Sequence, residues 1–244
     1  MPTSPRDRLI FALDVDSLDE AERYVKQLAP HVGMFKIGPR LFTSAGSLVV
    51  DLVHGMGSSL FMDFKFHDIP DQIAGAAREV ARQRARLFTV HALGGPKMIH
   101  AVTRSLRAAT LVPGAYPPLC LAVTILTSHS PDELSALGLE GPVTEHAKRL
   151  AKLAVDAGAG GVVCSGHELS VLKPHLPEGT AFVVPGIRSP QDDIGDQARV
   201  MTAGAAVAAG ATWVVVGRPI RDAQSPVAAA QRIVDDIASV EAGT

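Results

Sequence analysis

Short apolar runs alternate along the chain with longer stretches whose apolar side chains recur every three or four positions. Eight of the short runs read as strands: LIFALDV (9–15), MFKIG (34–38), SLFMDFK (59–65), LFTVHAL (87–93), LCLAVTIL (119–126), GGVVCSG (160–166), AFVVPGI (181–187) and TWVVVGR (212–218). Most are apolar at consecutive positions, as expected of parallel strands covered on both faces. The intervening stretches read as amphipathic helices. SLDEAERYVKQLA begins at Ser17 with acids in its first turn, and SPVAAAQRIVDDIASV (225–240) begins at Ser225 with proline next; both are N-terminal signals. TAGAAVAAGA (202–211) reads as a short helix stopped by glycine.

Strands that alternate with helices imply a parallel sheet. Eight such units predict a closed (β/α)8 TIM barrel, an α/β fold, as a single domain over residues 1–244. The alternative is an open doubly wound sheet. No GxGxxG follows the first strand, which argues against dinucleotide binding. No linker, low-complexity tract or second domain is visible.

Composition narrows the function. The formal net charge is -2 with acids and bases mixed along the chain, so the basic stripe of a nucleic-acid binder is missing. Cys120 and Cys164 lie in apolar stretches and read as buried reduced thiols. The N-terminal apolar run is broken at Asp14, too early for a signal peptide or a membrane span, so the expected location is the cytoplasm.

Against this apolar background, charge collects where strands end, and in a barrel that is where active sites lie. Strand 1 ends at Asp14, strand 2 carries Lys36, and strand 3 carries Asp63 and Lys65 with Asp68 just beyond. Strand 4 carries His91, and strand 5 leads to Thr124 and Thr127. Residues 63 and 65 share a strand parity and so can point the same way, and Lys36 on the neighbouring strand can approach them. The result would be an array of two ammonium groups and two carboxylates, in which the carboxylates keep the lysines protonated against desolvation. A buried ion network that merely tied strands together would use the same residues, but such networks contribute little net stability and barrel interiors normally use Val, Ile and Leu. His67 and His91 read as hydrogen-bonded structural histidines rather than metal ligands.

A second cluster closes the barrel. PGIR ends strand 7 with Arg188, and GRPI ends strand 8 with Gly217 and Arg218. The loops after these strands are the usual phosphate site of the fold, where glycine admits an oxyanion to the backbone and arginine forks onto it. Between them SPQDDIGDQARVMT (189–202) is long for a βα loop. It reads as a lid offering Gln197 to a phosphate, or as a plain surface loop.

DFKFHDIP (63–70) resembles the signature D-x-K-x-x-D-I-P of the orotidine 5′-phosphate decarboxylase family. VHALGG, AVTILTS, VVCSG, PGIR, GDQARVMT and VGRPI resemble its other blocks, in order. The resemblance implies a (β/α)8 barrel that works as a homodimer, without cofactor or metal, on orotidine 5′-monophosphate (OMP), making UMP in the last step of de novo pyrimidine nucleotide synthesis. It further implies catalysis by Lys36, Asp63, Lys65 and Asp68, the last acting in the partner's site, with Lys65 stabilising and protonating a C6 carbanion. Substrate contacts fall to Asp14 and Lys36 (ribose), Thr127 (pyrimidine edge), Ile69, Arg188, Gln197, Gly217 and Arg218. The family commonly has Thr two residues after DIP; here Gln72 stands there and would substitute a longer arm. Leu93 replaces a smaller residue. Related sugar-phosphate enzymes that use Mg2+ share D-x-K-x-x-D, but place a carboxylate where this chain has Lys36, whose charge would repel the cation.

Overall fold

All eight apolar runs form strands, and each pairs in parallel with its sequence neighbours: β1 (Leu9–Ala12), β2 (Met34–Ile37), β3 (Ser59–Phe66), β4 (Leu87–His91), β5 (Leu119–Val123), β6 (Gly161–Val163), β7 (Ala181–Val184) and β8 (Trp213–Val216). Strand β8 returns to β1, with Val214 opposite Leu9, and the sheet closes into a barrel. The open-sheet alternative is thereby ruled out. The computed structural model describes residues 1–109, 117–126, 128–188 and 201–241.

The strand pattern holds because both faces of the sheet are buried. Outward side chains such as Phe11, Phe35, Phe88 and Val162 pack beneath the helices in one large core. Inward side chains such as Ile10, Met34, Phe61, Leu121 and Trp213 fill the barrel itself. Each large side chain removed from water in this way contributes about 1.5–3 kcal/mol. Most ladders stop two or three residues before the apolar runs do. Leu13 and Val15 show why: they remain buried, at 0% and 2% exposure, although β1 has already ended. Apolarity reports burial, and burial outlasts pairing where a strand bends into its loop.

The helix signals are realised locally. Ser17 Oγ accepts the Glu20 N–H at 3.2 Å at the head of helix Leu18–Leu28. Thr202 Oγ1 does the same for Ala205 in helix Ala203–Ala209, which ends at Gly210 with φ of 115°. That left-handed turn favours glycine.

At Gly161 the constraint is space rather than φ. Strands β6 and β7 approach so closely that a Cβ there would lie 2.3 Å from the Ala181 carbonyl oxygen, which is backbone and cannot swing aside. Gly161→Ala is expected to lower stability by about 1–3 kcal/mol, as overpacking does. Urea unfolding checks this, and an unchanged midpoint would contradict it.

Candidate active site

The inward parity that fills the barrel also builds the site. Two residues above Ala12, Met34, Phe61 and Leu87, the same faces of the chain present Asp14, Lys36, Asp63 and Thr89. Apolar layers thus give way to a polar layer at the C-terminal ends of the first four strands.

Asp63 is the hub. Lys65 Nζ donates to both its oxygens, at 2.9 and 3.0 Å, and Lys36 Nζ lies 3.5 Å from Oδ2. Lys36 also donates to Asp14 Oδ1 at 3.1 Å. Burial alone would drive Lys36 towards its neutral form, but the carboxylates of Asp63 and Asp14 outweigh it and hold the pKa above its ordinary value. Burial would likewise push Asp63 up, yet the charges of Lys36 and Lys65, with hydrogen bonds from Lys65 and Thr89, hold it below the ordinary carboxylate range. Lys36 and Asp63 are therefore mutually fixed in their charged forms.

Lys65 itself stands off the regular strand, at φ of 48°. Left-handed backbone is uncommon for a residue with a Cβ, and such outliers gather at functional sites. The β3–β4 register is broken between Met62 and Phe66. Even so, residues 63 and 65 face the same way. Phe64 and Phe66 turn outward and stack edge to face, with centroids 5.5 Å apart.

Beside the array lies a cavity of about 170 Å³. Lys36, Asp63 and Lys65 form its charged wall, and apolar residues including Val123, Ile125, Val163 and Val215 line the rest.

Asp68 is exposed, and its Oδ1 accepts the N–H of Ile69 in its own chain at 2.6 Å. The second carboxylate that Lys36 meets within the chain is Asp14, not Asp68. Ile69 and Leu93 are also exposed, at 63% and 43%. Gln72 is exposed in the first turn of helix Pro70–Arg82. Gly217 precedes the short helix Arg218–Arg221 and lies beside Asp14: a Cβ there would meet Ala12 Cβ at 3.4 Å and Asp14 Oδ2 at 3.9 Å, both ordinary contacts. Arg188 is buried, with its backbone N–H on the Met201 carbonyl at 3.1 Å. Thr127, Gln197 and most of the proposed lid (189–200) lie outside the described residues.

Thr124 departs from expectation. It faces away from the mouth, fully buried, with its hydroxyl 3.4 Å from the Val163 carbonyl, because its parity on the chain leaving β5 is outward. His67 and His91 stack on each other at 5.6 Å, and His91 Nδ1 accepts the Leu93 N–H. Among the described residues, no three His, Cys, Asp or Glu side chains gather as a metal site. No described helix is long and apolar enough to cross a membrane.

Two contributors were not singled out from sequence. Thr89 bonds both Asp63 and the Lys65 backbone, and its signal was a lone hydroxyl at an inward position of a buried strand. Arg221 Nη1 donates to the Asp14 carbonyl at 2.9 Å, pinning the loop that carries Asp14. It sits one turn after Arg218.

A closed parallel barrel with opposed fixed charges over an apolar cavity, at the C-terminal ends of its strands, is the architecture of a (β/α)8-barrel enzyme. The comparisons narrow this class. A family model described as Orotidine 5'-phosphate decarboxylase / HUMPS family matches residues 7–233. The orotidine 5′-phosphate decarboxylase of Syntrophotalea carbinolica (strain DSM 2380 / NBRC 103641 / GraBd1) is 45% identical over 239 residues, 98% of each chain. That of Anaeromyxobacter sp. (strain K) is 45% identical over 230 residues, 94% of this chain and 97% of its own. The crystal structure of orotidine 5′-phosphate decarboxylase from Lactobacillus acidophilus superposes with a TM-score of 0.84 at 35% identity, covering 94% of this chain and 98% of that one. The chain belongs to the orotidine 5′-phosphate decarboxylase / HUMPS family and is an enzyme of that family.

The histidine stack has a measurable consequence. Burial first, then the nearby charges of His67, His129 and Lys65, push His91 down from its ordinary 6.5 to about 4. Between those values the unfolded chain binds the proton and the folded chain does not, so stability is full above the upper value and is lost as pH falls through the window. Urea midpoints at about pH 7 and about pH 4.5 are expected to differ less in His91→Asn, whose Oδ1 still accepts the Leu93 N–H, than in the wild type. An equal drop in both proteins would contradict the assignment.

Proposed function

We propose that this enzyme decarboxylates OMP to UMP, the last step of de novo pyrimidine nucleotide synthesis, without metal or cofactor. The observation that carries the reading is Lys65, an ammonium braced 2.9 Å from a largely buried carboxylate at the wall of an apolar cavity. The family, and relatives with this name along nearly the whole chain, support it.

The pyrimidine occupies the cavity with C6 towards Lys65. The C6–carboxylate bond breaks, CO2 leaves, and the electron pair stays on C6 as a vinyl carbanion that the ring cannot delocalise. A fixed ammonium beside C6 stabilises that charge, far more in a dry site than in water. Lys65 then delivers a proton to C6 and regains one from solvent. Asp63 stands beside the departing carboxylate, so loss of CO2 removes a like charge from its neighbourhood. Lys36 holds Asp63 in place and, with Asp14, binds the ribose hydroxyls. Arg188, Gly217 and Arg218 take the phosphate, with Gln197 from the lid, while Thr127 reads the pyrimidine edge, and Ile69 and Gln72 complete the substrate contacts. Binding energy at the remote phosphate is then used at the transition state.

Asp68 acts in trans. Its exposure, with exposed Ile69 beside it and exposed Leu93 on the following βα loop, supports a homodimer in which it completes the partner's array. The buried ammonium of Lys36 supports a metal-free reaction, since a divalent cation at the end of β2 would meet a like charge.

Loss of the OMP absorbance tests the reading. Turnover is expected at the same rate with and without EDTA. A protein that leaves OMP intact would overturn the reading, and activity abolished by EDTA and restored by Mg2+ would overturn its metal-free part.

A further inference from the structure

The β3–β4 ladder is regular up to Met62 opposite Phe88 and resumes at Phe66 opposite Val90. Between those pairs, Asp63, Phe64 and Lys65 on β3 face a single residue on β4, Thr89. A bulge of this kind leaves backbone groups without ladder partners. One of them is the N–H of Lys65, whose φ of 48° already places it in a conformation that persists only where its surroundings enforce it.

Thr89 meets that need. Its hydroxyl oxygen accepts the Lys65 N–H at 2.9 Å, and its proton goes to Asp63 Oδ1, also at 2.9 Å. One hydroxyl thus serves the backbone of the lysine and the side chain of the aspartate, using its donor and one acceptor position. Thr89 is completely buried, so water does not compete for either bond. Lys65 Nζ in turn reaches the same Asp63 carboxylate, closing a ring of contacts through Thr89, the Lys65 backbone, the Lys65 ammonium and Asp63. Valine has nearly the shape of threonine and could fill the volume, but it could make neither bond.

We infer that Thr89 is a positioning residue: its hydroxyl holds the bulged Lys65 backbone and the Asp63 carboxylate in the one arrangement that aims the ammonium into the cavity. The kinetic consequence rests on the decarboxylase reading; the structural one does not.

Thr89→Val and Thr89→Ser test it, each measured for OMP turnover and for hydrogen exchange of the Lys65 amide by NMR. In the valine variant kcat is expected to fall by about tenfold or more with KM changing less than about threefold, because the aim of the ammonium matters at the transition state more than in substrate binding. The Lys65 amide is expected to exchange about tenfold or more faster. Serine, which keeps the hydroxyl, is expected to restore both. Wild-type kcat or wild-type Lys65 exchange in the valine variant overturns the inference. So does a serine variant as slow as the valine one, which would make the methyl group rather than the hydroxyl the essential part. If the wild-type protein leaves OMP intact, the decarboxylase reading fails, and the exchange comparison still decides whether Thr89 holds Lys65.

Discussion

One largely buried carboxylate sets the terms for this barrel. Asp63 lies between two ammonium groups, with Lys65 on both of its oxygens and Lys36 approaching one of them. Such a cluster is expensive to desolvate and adds little net stability, whereas removing one partner leaves an uncompensated charge at a cost of about 3–5 kcal/mol. The fold must therefore deliver all three groups together. It does so because β2 and β3 are neighbours in a parallel sheet, and because Lys36 and Asp63 occupy the same inward face two residues above Met34 and Phe61.

The division of labour follows from that placement. Below the array, the barrel is filled with large apolar side chains; above it, the chain leaves the strands and carries Asp14, Gly217 and Arg218. The apolar lining of the cavity between Lys65 and the later strands strengthens the field of the array relative to open water. The strained stretch of β3 is confined to the residues that carry the charge, while Phe64 and Phe66 tie its outer side to Phe42. Within β3, strain and desolvation thus coincide at the charged residues.

Much of this was legible in the sequence because it depends on local periodicity. Consecutive apolar positions announced strands buried on both faces, strand–helix alternation announced the barrel, and charged residues interrupting apolar runs marked the site. Parity alone brought Lys36, Asp63 and Lys65 together. The bulge was not legible, since it exists only in the register of β3 against β4, more than twenty residues apart in the chain. Thr89 was passed over for the same reason: a threonine in a buried strand looks like an ordinary β-former until its neighbour's backbone is seen to need it. Thr124 misled because polarity near a strand end was read without its parity. The family signature, not periodicity, pointed to Asp68 as a residue of the partner's site; within its own chain that carboxylate accepts the Ile69 N–H.

The central claim is that Lys65 performs the chemistry inside an array that Asp68 completes from a second copy. Mixing Lys65→Ala with Asp68→Ala subunits tests it most directly. Each variant alone should be nearly inactive, while random exchange should restore up to about a quarter of wild-type activity, since half the dimers are mixed and each of these has one whole site. If Lys65→Ala alone stays within about tenfold of wild type, or if confirmed exchange restores nothing, the claim is contradicted.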